Sequence, residues 1–133
     1  LAGVGIQISL THFHHEKGIN MFGKYILKDG VPVLEPNIFK WAAWFETAGA
    51  ERIIKKTTVY HGDAEVEVST VFLALDHGFN PSEKAPILYE TMVFGGPGNG
   101  EQWRYDSEKK ARKGHTRAVK LQKMKLQKGK KHG

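Results

Sequence analysis

A chain of 133 residues supports one domain, and at that size a core forms without help from a metal or disulfides. There is no cysteine, which excludes a disulfide framework and a thiolate metal site, and no apolar run reaches the roughly 18 residues a membrane span needs. The net charge of +6 is an uneven average: the last 27 residues hold 11 Lys and Arg against one acid, the first 106 hold 9 against 13, so a mildly acidic body precedes a basic tail suited to a polyanion.

Residues 1–20 read as an extension or a non-native leader ahead of Met21; their apolar part is short and lacks a basic leading region, unlike a secretion signal. Within them His12, His14 and His15 are spaced to take zinc or nickel, but fall short of the four ligands a site needs. Apolar runs at 22–26 and 31–34 flank Asp29-Gly30, a hairpin signal because glycine takes the positive φ of a tight turn. Asn37 is the expected N-cap of a helix over 38–48, where Ile38, Trp41, Ala42 and Phe45 share a face, Trp44 lies at its rim and Gly49 ends it.

Residues 52–60 alternate loosely, and His61-Gly62-Asp63 turns the chain. Ala64, Val66 and Val68 then alternate with Glu65 and Glu67, giving one wet face. From Ser69 the alternation stops. The dense apolar runs 71–75 and 87–94 are too short for free-standing helices and read as neighbouring central strands beneath the aromatic helix. A polar loop spans 77–85, the GGPGNG of 95–100 reads as a flexible turn, and 102–105 as a short last strand. Ser107 caps a helix to about 124, with Ala111, His115, Ala118, Leu121 and Met124 as its apolar stripe; from 127 onward too little apolar surface remains to offset the entropy of ordering. The order β-β-α-β-β-β-β-α predicts an α+β fold: a single domain over 21–120, a mostly antiparallel sheet of about five to six strands, and a basic tail over 121–133.

Trp44-Phe45-Glu46-Thr47-Ala48, VSTVFLALDH at 68–77, YETMVFGG at 89–96, and Trp103-Arg104-Tyr105 leading to Gly114-His115 together resemble a family of small uncharacterised proteins of tailed bacteriophages and prophages, over roughly 21–119. The resemblance implies phage origin and a role in the cytoplasm of the infected host, and brings no reaction, cofactor or catalytic residue. The leader before Met21 and the lysine-rich run after Lys120 depart from the family pattern.

Glu46, Ser69, Thr70, Asp76, His77, Glu90 and Thr91 place polar groups in or beside the apolar runs, where a buried carboxylate must be paired, hydrogen-bonded or protonated. Gathered at one sheet end, Glu46, Asp76, His77 and Glu90 would hold a divalent cation or act as general acid and base, the requirement of a metal-assisted hydrolase or nucleotide-ligand binder. The plainer expectation is that Glu90 pairs with Arg104, Lys55 or Lys56, that Ser69 and Thr91 bond to backbone, and that Asp76 caps the following turn. GGPGNG lacks the Lys-Ser/Thr of a phosphate loop and opens no helix.

The residues Lys109, Lys110, Arg112, Lys113, Arg117, Lys120, Lys123, Lys125, Lys128, Lys130 and Lys131 suit a phosphate backbone; the tail has no aromatic side chain for base stacking, so no sequence readout is expected. The plainer alternative is a solvated helix end. The leading expectation is a non-catalytic accessory protein that binds a host or phage partner and has nonspecific nucleic-acid affinity, with no cofactor required by the sequence and no membrane contact. A further alternative is an inhibitor of a host defence protein that makes contact through Trp44 and the loop carrying Phe79.

Overall fold

The computed structural model describes residues 20–78 and 85–131, with side chains over 23–78 and 85–128. The fold is α+β, with antiparallel strands and two helices. The chain divides into two compact units, one formed by described residues up to 53 with those of 72–88, the other by 54–71 with residues from 89 onward.

In the first unit, β1 (Asn20–Lys28) is the middle strand of a three-stranded sheet between β2 (Val31–Leu34) and β5 (Leu75–Asp76). Asp29 and Gly30 both take positive φ, 51° and 78°, the combination a two-residue hairpin turn requires. Pro32 sits in β2, an edge strand, where its missing N–H costs the sheet little. Helix α1 (Ile38–Ala48) packs on β1. The Asn37 side chain caps it, accepting from the N–H groups of Phe39 at 2.9 Å and Lys40 at 3.1 Å. Gly49, at φ 46°, ends the helix and opens a 3₁₀ turn, Gly49–Arg52.

Aromatic rings and the Arg52 guanidinium pack together in this unit. Trp41 stacks on Phe45, Trp44 meets Phe72 edge-on at 5.9 Å, and the Trp41 Nε1–H donates to the carbonyls of Tyr25 and Ala74, each at 3.1 Å. Arg52, 1 % exposed, lays its guanidinium over the Phe45 ring and donates through Nε to the Phe72 carbonyl at 3.1 Å. Burial pushes its pKa down to about 10, so it remains a cation at neutral pH.

The second unit contains a sheet ordered β3 (Ile53–His61), β4 (Ala64–Phe72), β6 (Tyr89–Phe94), β7 (Gln102–Tyr105), where each terminal residue of β3 and β4 nearest the boundary belongs to the first unit. Helix α2 (Glu108–Lys131) packs on β6 and β7. Val59, Val66, Val68, Val93, Ala118 and Leu126 form its apolar core, with Trp103 and Val119 packed against them. The valines follow from strand alternation, which sends every second residue to the same face.

Four expectations need correction. The strands lie in two sheets and number seven among the described residues: Ala74, at φ 69°, breaks the run expected over 71–75 after β4, so Leu75–Asp76 pairs with β1. The helix on β6 and β7 is the basic α2, whereas α1 packs on β1; within α1 the expected interior residue Ile38 is 53 % exposed. Helix α2 continues without a break past 120 and 124 to Lys131, because its buried stripe is Ala111, His115, Ala118, Gln122 and Leu126; Met124 faces outward. Gln122 is polar but buried, bonded to Glu101, and Leu126 adds the apolar area that the last turns were expected to lack.

Lastly, 95–100 is a hydrogen-bonded loop instead of a flexible turn. Gly95 donates to the Asn99 side chain and Gly100 to the Val93 carbonyl. Gly95 and Gly96 have positive φ, and a Cβ on Gly96 would lie 2.5 Å from Val66.

Candidate functional site

Strand alternation in the second unit also sets a polar row beside the valines, on the sheet face covered by α2. Thr57 is two residues from Val59, Thr70 two from Val68, and Thr91 two from Val93. Over this row lies His115, 1 % exposed, between Ala111 and Ala118 on the buried stripe of α2. Its Nε2 is 2.8 Å from Thr57 Oγ1 and its Nδ1 is 2.7 Å from Thr70 Oγ1. Thr70 Oγ1 is 2.6 Å from Thr91 Oγ1, which accepts from the Tyr105 hydroxyl at 3.1 Å. Gly114 makes this geometry possible, since a Cβ there would collide with the Tyr105 ring and hydroxyl.

The chain of bonds is anchored at its tyrosine end. Among the described residues Thr91 is the partner of the buried Tyr105 hydroxyl, so the phenolic hydrogen goes to Thr91. Continued from there, Thr91 would donate to Thr70 and Thr70 to His115 Nδ1; the reverse order, His115 Nδ1–H to Thr70 and Thr70 to Thr91, satisfies the same contacts. Burial, aided by the charges of Lys55 and Arg112, pushes the His115 pKa down to about 4. The neutral ring carries one proton: on Nε2 it is donated to Thr57, and on Nδ1 it leaves Nε2 to accept from Thr57. With the proton on Nε2, the hydroxyl hydrogen of half-buried Thr57 is not used by the network.

Thr57 and His115 line a surface cavity of about 290 Å³ together with Lys55, Thr116, Val119, Lys120 and Lys123. Thr116 donates its hydroxyl to the Arg112 carbonyl, so toward the cavity it offers lone pairs alone. Three ammonium groups and the Thr57 hydroxyl supply the donors.

The cavity opens along the basic face of α2. Lys109, Lys110, Arg112, Lys113, Arg117, Lys120, Lys123 and Lys128 are all exposed. Three residues of the predicted basic set are engaged: Lys110 with Asp106 at 2.9 Å, Arg112 with Glu108 at 2.9 Å, and Lys125 with Glu101. Lys125 first, then Gln122, pulls the Glu101 pKa below the usual range. Among the described residues, Lys109, Lys113, Lys120 and Lys123 make no ion pair and stand at helical spacings of four, seven and three, one stripe about 21 Å long at 1.5 Å per residue. The side chains of Lys130 and Lys131 lie outside the described residues.

The acidic set is held differently. Glu46 is exposed on α1. Asp76 Oδ1 accepts from the N–H groups of Gly78 at 2.8 Å and Ile87 at 2.9 Å, which is the turn-capping role. His77 Nδ1 donates to the Leu75 carbonyl at 2.8 Å. Glu90 belongs to the other unit, 1 % exposed, where Arg104 Nε donates to it at 3.2 Å from the facing position on β7. Among the described residues no group of three or more His, Asp or Glu side chains is placed to hold a metal ion, so the predicted gathering of Glu46, Asp76, His77 and Glu90 around a cation is not what the fold builds.

Thr91, expected to bond to backbone, bonds to side chains instead, and so does Thr70. Thr57 was not singled out by sequence, and His115 was read as part of an apolar stripe. The available signal was a histidine on a buried helical face, which requires partners for both ring nitrogens. Trp44 is half-buried against Phe72, and the large apolar side chains the first unit exposes are Val31, Leu34, Ile38 and Phe39. His12, His14, His15 and Phe79 lie outside the described residues. No helix among the described residues is long and apolar enough to cross a membrane. Comparison with protein-family models, curated proteins and solved structures finds no match for this chain.

Proposed function

We propose that this chain binds the phosphate backbone of nucleic acid, without reading base sequence, through the exposed basic face of α2, and serves as a non-catalytic accessory protein of phage origin. The observation that carries the reading is the stripe Lys109, Lys113, Lys120 and Lys123, four cations without an ion pair among the described residues, on one face of a helix whose opposite face is anchored in a core. A stripe held rigidly presents its charges at fixed intervals, so less ordering entropy is lost on binding than with a mobile tail. The stripe is lysine, with no aromatic side chain on the helix to stack on a base, which favours backbone contact over readout. The phage assignment rests on the resemblance of the sequence blocks.

Fluorescence anisotropy with mixed-sequence duplex DNA and RNA tests the reading. The expected result is binding at about 50 mM salt that weakens toward about 200 mM, with a log–log slope of about −4 for four displaced counterions. Changing Lys109, Lys113, Lys120 and Lys123 to Gln should remove most of that slope. Absence of binding at low salt, or binding insensitive to the four changes, would overturn the proposal.

A further inference from the structure

We propose that the cavity between β3 and α2 is a seat for a single phosphate group, held by Lys55, Lys120 and Lys123 and oriented by the Thr57 hydroxyl. This deepens the polyanion reading by naming the place on the basic face where one phosphate is bound at a defined point.

Charge is supplied from two elements that line the cavity, Lys55 from β3 and Lys120 and Lys123 from α2. Direction is supplied from beneath. The hydrogen-bond chain from Tyr105 through Thr91, Thr70 and His115 ends at Thr57, which lines the cavity; run in that direction, with the ring proton on Nε2, it leaves the Thr57 hydroxyl one hydrogen to give. A hydroxyl whose oxygen already accepts from an imidazole N–H is a better donor, since each bond in such a chain polarises the next. The groups facing His115 are Thr57 and Thr70 on the sheet, with Lys55 and Arg112 the nearby charges. Both charges oppose protonation of the ring, so it stays neutral. Among the described residues the cavity lining has no carboxylate, and the hydroxyl of Thr116 is turned to its own helix. The resulting donor set, cations around one directed hydroxyl, matches a tetrahedral oxyanion with two negative charges better than a carboxylate, which offers two acceptors in one plane.

The test is titration of the full chain with inorganic phosphate at constant ionic strength, followed by amide NMR, with chloride as the comparison. Saturable shifts confined to 55–57 and 116–123 are expected. Lys120→Gln with Lys123→Gln, both exposed positions, should weaken phosphate binding by about tenfold or more. Thr57→Val should weaken it too, and Thr57→Ser, which restores the hydroxyl, should recover it. Shifts that spread over the whole of α2 without saturating, that chloride reproduces, or that survive the double lysine change would overturn the seat. Duplex binding that persists while no saturable phosphate shift is seen overturns the seat alone. Saturable phosphate shifts without duplex binding retain the seat and overturn the extended surface.

Discussion

The two units bury polar side chains by opposite means. In the first, each buried polar group for which a partner has been described reaches the main chain: Trp41 Nε1 and Arg52 Nε donate to carbonyls, Asp76 accepts from two N–H groups, and His77 donates to a carbonyl. In the second, side chain meets side chain: the Thr57, His115, Thr70, Thr91 and Tyr105 chain, Glu90 with Arg104, and Glu101 with Gln122 and Lys125. A side chain bonded to backbone pins the path of the polypeptide, and its partner is present whatever the neighbouring residue type. A side chain bonded to other side chains depends on residue identity at every link, so a network of that kind can be given a direction and an outlet. The first arrangement suits a scaffold, and the second suits a site.

The largest effect should come from breaking the scaffold at its cation. Arg52→Ala removes a buried guanidinium together with its ring contact and its bond to Phe72, and should lower unfolding free energy by about 4 kcal/mol, measured from the urea midpoint and slope. A loss below about 1 kcal/mol would mean that the first unit is not pinned this way.

Next comes the centre of the network. His115→Leu keeps the apolar volume but strips Thr57 and Thr70 of their shared partner, at an expected cost of about 3 kcal/mol near neutral pH. The same residue sets a pH dependence. Its folded pKa, about 4, lies below the ordinary value of 6.5, so the unfolded chain binds the extra proton first. Its contribution is complete above about pH 6.5 and is lost as pH falls from there toward 4, a decline of about 3 kcal/mol. Urea titrations at several pH values should show that decline in the parent chain and its absence in His115→Leu. Glu101, whose pKa is depressed, acts in a separate window, losing its contribution as pH falls below the ordinary carboxylate range.

The smallest of these effects sharpens the comparison without removing any polar group. Gly114→Ala places a methyl against Tyr105 and should cost about 2 kcal/mol while moving the tyrosine hydroxyl away from Thr91, seen as faster exchange of that hydroxyl proton. An unchanged hydroxyl would show that close helix approach is not what orients the network.

Much of the architecture was legible from local chemistry. Asp29-Gly30 dictates a turn, Asn37 and Gly49 bracket α1 at its observed ends, and the alternation of Val66 and Val68 with Glu65 and Glu67 marks the strand face that is buried. Of the site, the cations and two of the three threonines were visible. Their meaning was not, because a threonine on a strand looks the same whether it bonds to backbone, to water or to a histidine from a helix 45 residues away.

Sequence alone determined the quantities set by neighbours in the chain: turn positions, caps, strand and helix periodicity, and the concentration of positive charge in the last 27 residues. Tertiary structure alone decided which helix covers β6 and β7, where Leu75–Asp76 finds its partner, and that Thr57, Thr70, Thr91 and Tyr105 meet under His115. Those outcomes depend on pairings between segments far apart in sequence, and a non-local contact leaves no periodic trace in either segment by itself.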